Sequence, residues 1–338
     1  MANAADRTTL LDWARRLDPD GKIATVVEVL NRYNEILDDI SFVEGNLPTG
    51  HKVSVRASLP TPSWRLLNQG VVRTKSTTNQ ITETCGMLEA YSEIDKDLAM
   101  LNGNTAAFRF SEDVAHIEAM NQAFVTALIY GDTSVNPEQF VGLDPRYYTV
   151  SGATTSGNLI DAGGTGSDNT SIWLVGWSPQ TISGIFPKGS LAGLQVNDLG
   201  EQTVLDSNSR PFQAYRTHFQ WKCGIAVKDW RYVVRICNID ISDMETAGDT
   251  SDTSANTLKH MSQALDKFPP NGMVRPVFYC NNRVRAMIRV KLFSKSNTWI
   301  TLENWQSPIS GLNRPTLAFQ GIPIRRIDEI TVAEARIT

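Results

Sequence analysis

The longest helical pattern of hydrophobic and polar positions spans residues 111–130, "SEDVAHIEAMNQAFVTALIY". Ser111 is a good N-cap residue, and the acidic residues after it suit the first turn of a helix. Apolar side chains recur every three or four residues, which predicts one long helix with a buried face, ending at Gly131. That face comprises Val114, Ile117, Met120, Asn121, Phe124, Ala127 and Leu128.

Residues 8–40 also have helical spacing, but Pro19 interrupts it. The pattern predicts two helices, and the second has one apolar stripe that would pack on another surface. That stripe comprises Ile23, Val26, Val27, Leu30, Tyr33 and Leu37.

Residues 46–92 have a period of two instead. "HKVSVRAS" alternates, a proline-rich stretch "LPTPSWRLLNQG" follows, and "VVRTKSTTNQITET" returns as a second extended run. This predicts a long hairpin. It has too few apolar residues for a core of its own, and a lone two-stranded hairpin is marginal in water. Its apolar tip either marks an interaction site or folds back on the same domain; the tip residues are Trp64, Leu66 and Leu67.

The rest of the chain predicts a mixture of strands and helices. Short strands fill residues 146–240, a helix spans about Ser254 to Phe268, "RPVFYCNN" reads as a buried strand and "RVRAMIRVKLF" as a helix. Two strands surround Gln320–Gly321. No internal repeat occurs, and the predicted class is α+β.

Composition narrows the possible functions. The 338 residues are 41% hydrophobic and 20% charged, which is typical of a folded domain. The formal charge of −4 argues against a protein built to neutralise phosphates. No apolar stretch suits a signal peptide or a membrane span, so we expect folding in the cytoplasm. The cysteines form no C-x-x-C pair and are expected to be free, buried thiols: Cys85, Cys223, Cys237 and Cys280.

The stretch "SGATTSGNLIDAGGTGSDNTSIWLVGW", residues 151–177, nearly spells two nucleotide-binding motifs. A P-loop would need Lys at Asn158 and a hydroxyl at Leu159, and a dinucleotide fingerprint would need its third glycine at Asn169. The following "SIWLVGW" is typical of a strand, where both motifs require a helix. We therefore expect turns in a polar loop, and no metal, cofactor or catalytic constellation emerges elsewhere.

The order of segments resembles that of tailed-phage major capsid proteins of the Hong Kong 97 fold. The stretches "IDAGGTGSDNTSIWLVGW", "FQWKCGIAVKDWRYVVRI" and "AFQGIPIRRIDEI" are similar to those of capsid proteins from short-tailed phages of the epsilon-fifteen type. The resemblance implies an N-terminal arm, an E-loop hairpin, a P-domain with a spine helix, a mainly A-domain region with some P-domain strands, and closing strands. The respective ranges are 1–45, 46–92, 93–139 with the helix at 111–130, 140–300, and 301–338.

The resemblance implies a structural protein rather than an enzyme, with no cofactor. Copies would assemble as pentamers and hexamers into an icosahedral head around double-stranded DNA, which they would contact weakly and without sequence specificity. A portal protein would occupy one vertex, and separate scaffolding and cement or decoration proteins are conceivable partners. Two alternatives stay open: another multimeric phage component, such as a tail tube or decoration protein, and a nucleotide-binding enzyme using the Gly152–Gly166 loop.

The hairpin supplies the candidate site residues. We expect Trp64, Leu66 and Leu67 to dock on a neighbouring subunit, because exposed apolar tips mark interaction sites. Neighbouring carboxylates would pair with the hairpin's cations, Arg56, Arg65, Arg73 and Lys75. Some members of the resembled family cross-link subunits through a Lys–Asn isopeptide. Lys52 and Lys75 lie in the right region, but nothing identifies their partners, and we expect no cross-link.

Overall fold

The structure is a computed structural model that describes residues 32, 34–101, 105–206, 208–246, 256–269, 273–292, 300–306 and 313–338. The helices predicted within residues 8–40 fall largely outside these ranges. The strands are β1 (Phe42–Glu44), β2 (Gly50–Ser58), β3 (Thr77–Thr84), β4 (Gly86–Asp95), β5 (Leu159–Asp161), β6 (Asn169–Trp177), β7 (Ile182–Phe186), β8 (Gln195–Leu205), β9 (Pro211–Val227), β10 (Val233–Asp240), β11 (Arg275–Cys280), β12 (Ile300–Gln306), β13 (Asn313–Phe319) and β14 (Ile322–Arg326). The helices are α1 (Lys96–Met100), α2 (Thr105–Tyr130), α3 (Ile241–Thr246), α4 (Thr257–Lys267) and α5 (Asn282–Leu292).

One large mixed sheet organises the body, with the order β12-β13-β14-β11-β6-β7-β9-β4. β10 pairs antiparallel with β6, and β5 pairs parallel with β10. β9 is long enough to join two parts of the sheet, because its first half pairs with β8 and β4 while its last residues pair with β7. The α+β class predicted from the sequence is confirmed.

Strand β6 lies at the centre of the core because both of its faces are apolar. Trp173 and Val175 belong to the core on the side of α2, whereas Ile172 and Leu174 belong to the core on the side of α4 and α5. Every residue of β6 and of β10 is buried. Continuous burial of this kind requires helices or loops on both faces of a sheet, and the chain provides them.

Helix α2 is longer than predicted. It begins at Thr105, so Ser111 is an interior residue and the prediction of an N-cap there was wrong. Ala106 and Ala107 are strong helix formers and extend the helix upstream of the acidic turn. At about 1.5 Å per residue its 26 residues form a rod of about 39 Å.

Only the C-terminal half of α2 has the buried face that the spacing predicted. Phe124 and Leu128 are buried, whereas Ile117 is 37% exposed. The helix ends at Tyr130, as predicted. The next residue, Gly131, leaves no room for a side chain, because a Cβ there would lie 2.4 Å from the carbonyl oxygen of Ala127.

The C-terminal predictions are confirmed within the described residues. The strand β11 and the helices α4 and α5 lie where the patterns placed them. Strands β13 and β14 turn at Gln320 and Gly321, whose φ angles of 50° and 80° suit a tight hairpin turn. All four cysteines are free; Cys85 is half-buried and the other three are buried. Burial raises the pKa of Cys280 to about 12.

Candidate assembly surface

The predicted hairpin is a separate two-stranded sheet of β2 and β3 that projects from the body. Their register runs from Gly50 opposite Thr84 to Ser58 opposite Thr77, and among the described strands they pair with no other. Ile81 is 40% exposed, and the hairpin contributes no residue to either main core. The alternative that the hairpin folds back on its own domain was wrong.

The hairpin is shorter than the range predicted from the sequence. Its second strand begins at Thr77 rather than in the "VVRTKS" run, so residues 59–76 form an extended loop. Residues 86–92 lie in β4, which pairs with β9 in the large sheet and does not belong to the hairpin.

The tip of the hairpin presents its apolar side chains to solvent. Trp64 is fully exposed, and Leu66 and Leu67 are 70% and 90% exposed. The loop nevertheless has internal order: the Gln69 amide donates to the Leu66 carbonyl (3.2 Å), and Thr74 Oγ1 donates to the Thr61 carbonyl (3.0 Å). Exposed apolar clusters of this kind mark interaction surfaces.

The cations predicted as contacts are also exposed. Arg56 lies on β2, and Arg65 at the tip donates to the Gln69 carbonyl at 3.3 Å. Arg73 and Lys75 follow on the returning run. No Asp or Glu occurs between residues 51 and 82, whereas the whole chain has a formal charge of −4. The hairpin is therefore a basic arm on a body with an excess of carboxylates.

The body holds the base of the hairpin through backbone and side-chain hydrogen bonds. The Cys85 amide donates to the Thr49 carbonyl (2.9 Å), and the Gly45 amide donates to the Phe186 carbonyl of β7 (2.8 Å). The Asn46 side chain bonds both the amide and the carbonyl of Lys52, at 2.7 and 2.8 Å. The arm therefore leaves the body from a fixed base.

The glycine-rich stretch does not have the geometry of a phosphate-binding loop. Strand β6 begins at Asn169, so a strand follows where a helix would be needed. Gly152 and Gly163 have φ angles of 86° and 85°, which confirms the predicted role in turns. Gly164 and Gly166 serve close packing instead: an added Cβ would lie 2.5 Å from the Asn238 carbonyl oxygen and from an Asp240 carboxylate oxygen, respectively.

Carboxylates occupy the space beside this loop. Asp168 Oδ2 accepts from the Ser242 amide at 2.9 Å, and Asp240 Oδ1 accepts from the Ser242 hydroxyl at 2.7 Å. That hydroxyl bond lowers the pKa of Asp240. Two carboxylates at this place would repel the phosphates of a nucleotide.

Sequence reasoning missed a buried ion network at the centre of the body. Arg235 of β10 pairs with Asp144 at 2.6 Å and with Glu334 at 3.0 Å, and it lies 4.6 Å from the ring centre of Trp173. Tyr130 donates to Glu334 at 2.6 Å. Burial opposes the charge on Arg235, but the two carboxylates outweigh it and raise its pKa. The isolated "R" in "YVVRICNID" was the available signal.

The described ranges contain no group of three or more His, Cys, Asp and Glu side chains that could hold a metal ion. In the part of the chain that the structure covers, no helix has the length and apolarity to cross a membrane.

A family model described as major capsid protein GP7 matches residues 18–338. A solved structure of bacteriophage Epsilon15 is 35% identical, covers 98% of each chain and superposes with a TM-score of 0.75. The bacteriophage JBD30 capsid is 9% identical, with 89% of this chain and 92% of that chain covered and a TM-score of 0.48.

The capsid of a native GTA particle is 13% identical, with 70% of this chain and 99% of that chain covered and a TM-score of 0.45. These last two likenesses are too weak to inform on function. No curated protein sequence gives a significant match.

Proposed function

The chain belongs to the major capsid protein GP7 family, and from that premise we propose how its copies form a shell. A major capsid protein of a phage is a component of the virion shell, and the Hong Kong 97 fold expected from segment order is consistent with the match to the phage structure. The tail-tube and decoration alternatives were wrong. The proposal is that pentamers and hexamers of this chain close an icosahedral head around double-stranded DNA.

The observation that carries this proposal is the exposed hairpin. An arm with a fully exposed Trp64 and no core of its own gains burial only against another surface. Trp64, Leu66 and Leu67 dock on a neighbouring copy in this proposal. Many such shared contacts, each weak, make a closed shell strong.

Charge complementarity supports a second copy as the partner. The hairpin cations Arg56, Arg65, Arg73 and Lys75 lie on a segment without carboxylates, and the rest of the same chain has them in excess. Opposite charges steer association and fix register. The portal, scaffolding and cement proteins and the packaged DNA remain partners that the family resemblance implies.

Deleting residues 58–70 tests the role of the hairpin. The deletion removes exposed chain, so the subunit should fold with an unchanged circular dichroism spectrum while shells become rare in electron micrographs and light scattering. A matched triple variant, W64A/L66A/L67A, keeps the loop length and should have the same defect. Normal shells from both variants would contradict the docking proposal, and loss of folding in the deletion would assign the hairpin to the subunit core.

The proposal also includes the absence of catalysis at the glycine-rich loop. A thermal-shift screen with ATP and NAD should give no stabilisation, because β6 and the carboxylates of Asp168 and Asp240 stand where a phosphate site needs a helix N-terminus. Stabilisation by either nucleotide that is lost in a Gly166→Val variant would contradict it.

A further inference from the structure

The backbone segments that cross at the base of the hairpin lie too close together to leave room for a side chain at either of two glycines. A Cβ on Gly50 would lie 2.0 Å from the Glu83 carbonyl oxygen, and a Cβ on Gly45 would lie 2.3 Å from the Gly50 carbonyl oxygen. The chain leaves and re-enters the body at this crossing, between Thr49 and Cys85. Any change in the direction of the arm must occur at or just beyond it.

An ion pair joins the base of the hairpin to the body. Glu83 is the buried position of β3, and its carboxylate accepts from both terminal nitrogens of Arg146, at 2.7 and 2.6 Å. Arg146 also donates to the carbonyls of Val141 and Gly142, at 3.1 and 3.0 Å. Two-pronged guanidinium–carboxylate pairs fix the orientation of both partners as well as their distance.

The chemistry of Glu83 differs from that of the rest of the arm. It directly follows residues 51–82, the segment that has cations but no carboxylates. Its side chain points into the body instead of pairing with the hairpin's own cations. Its cross-strand neighbour His51 has a pKa lowered by burial and by Lys228. Arg146 is the cation that pairs directly with the buried carboxylate of Glu83.

A small rotation at this base moves the tip a long way. Nine strand residues at about 3.3 Å each make a lever of about 30 Å, so a rotation of about 10° displaces its end by about 5 Å. Docking two specific surface patches constrains their relative orientation, so a displacement of that size lowers the rate of productive encounters between ordered surfaces. A fixed arm direction therefore favours fast association.

We propose that the Glu83–Arg146 ion pair is a clamp that sets the direction of the hairpin, and that both residues are positioning residues for shell assembly. Neither residue contacts the neighbouring copy in this arrangement; they act through the arm. The inference rests on the proposed docking of the hairpin tip.

Distances within the unassembled full-length subunit test the clamp. Spin labels on Ser63→Cys at the tip and Ser151→Cys on the body, in a Cys85→Ser background, report the direction of the arm by pulsed electron paramagnetic resonance. E83Q keeps the shape of the side chain and removes its charge, and we expect the tip-to-body distance distribution to broaden or shift by about 5 Å. R146K, which keeps the charge but loses the two-pronged geometry, provides a second route if E83Q does not fold.

A matched control comes from the body. Glu201 pairs with Lys96 at 2.7 Å on the surface, so E201Q makes the same carboxylate-to-amide change away from the hairpin. This variant should leave the tip-to-body distance distribution and the rate of assembly unchanged. E83D restores the charge and should recover part of the native distance distribution. A merely structural role would lower thermal stability without moving the labels.

Assembly measured on the same variants decides the second half of the proposal. E83Q should slow shell formation several-fold, as measured by light scattering. The clamp proposal is overturned if the distance distribution of E83Q matches that of the native chain. It is also overturned if E83Q moves the arm but assembles at the native rate. W64A/L66A/L67A should keep native distances and still assemble poorly. Normal assembly of that tip variant would refute the docking proposal alone, because the distances would still decide whether the clamp sets the arm.

Discussion

Two pairs of antiparallel strands in this protein have opposite surroundings. β6 and β10 are buried along their whole lengths, whereas β2 and β3 have no buried residue beyond their base. Both pairs have the same kind of backbone ladder. The difference lies in the side chains, and it shows that the ladder alone does not decide whether strands stabilise the subunit or remain available to a neighbour.

The largest expected contrast is between two tryptophans. Trp173 in β6 is buried between Tyr147 and Arg235, so W173A should lower the free energy of unfolding by about 3–5 kcal/mol or prevent folding. Trp64 at the tip contacts solvent, so W64A should change it by less than about 0.5 kcal/mol. Chemical denaturation followed by fluorescence and circular dichroism measures both. Equal losses would abolish the contrast between the two strand pairs.

Much of this contrast could be predicted from the sequence. The alternation in "HKVSVRAS" and the absence of apolar residues for a second face indicated an arm without a core, and "SIWLVGW" indicated a strand. The start of α2 could not be predicted, because Ser111 with Glu112 and Asp113 is a good helix start that the upstream alanines override. Local propensity cannot rank two acceptable starts when tertiary packing decides between them.

The ion pairs were beyond prediction for a different reason. Glu83 and Arg146 are 63 residues apart, and Arg235 and Glu334 are 99 apart. Nothing in either local pattern specifies the partner, because the pairing depends on how the whole sheet folds. The hairpin's candidate residues were predictable as exposed, and their contacts with a neighbour remain a prediction.

The buried ion network offers the next test of the contrast. E334A leaves Arg235 with Asp144 as its remaining ion partner and removes the acceptor of Tyr130 and Ser171. Breaking one member of a buried network should cost about 3 kcal/mol. E201A, which breaks the partly exposed pair with Lys96, should cost much less, because solvent screens exposed ion pairs. Similar midpoints for the two variants in urea would mean that the buried network does not stabilise the body.

A pH titration provides a further test of the buried side of this contrast. The titrated group is a carboxylate at the point where the N-terminal segment meets the sheet. Asp39 accepts from Tyr279 at 2.6 Å and pairs with Arg325 at 2.9 Å, with Glu35 and Asp38 nearby. Burial outweighs these bonds and raises the pKa of Asp39 from 3.8 to about 6.

The folded chain therefore holds this proton more tightly than the unfolded chain. The resulting stability is fully present below the unfolded pKa of 3.8 and is lost as the pH rises through about 6. The native chain should gain up to about 3 kcal/mol relative to D39N as the pH falls from about 7 to about 4. Unfolding curves of both proteins at each pH measure it, and a constant difference between them would contradict the assignment.

The smallest expected effect on folding is also the most informative about assembly. Arg73 and Lys75 are exposed on the hairpin, so R73E/K75E should alter the free energy of unfolding by less than about 0.5 kcal/mol. If these cations meet carboxylates of a neighbouring copy, reversing them brings like charges together, and shells should form poorly at low salt. Added salt should restore part of the yield, because exposed charges are screened within about 10 Å at 0.1 M.

Net charge alone would also affect association, so the comparison needs a variant with the same charge change elsewhere. Arg210 and Arg275 are exposed on the body, and R210E/R275E changes the net charge equally. Shell yield across a salt series separates a local effect from a global one. If both double variants lose assembly to the same extent, repulsion between whole subunits explains the result and the hairpin has no special role. If only R73E/K75E loses assembly, the contact is assigned to the arm. Folding measurements alone would not reveal this contact.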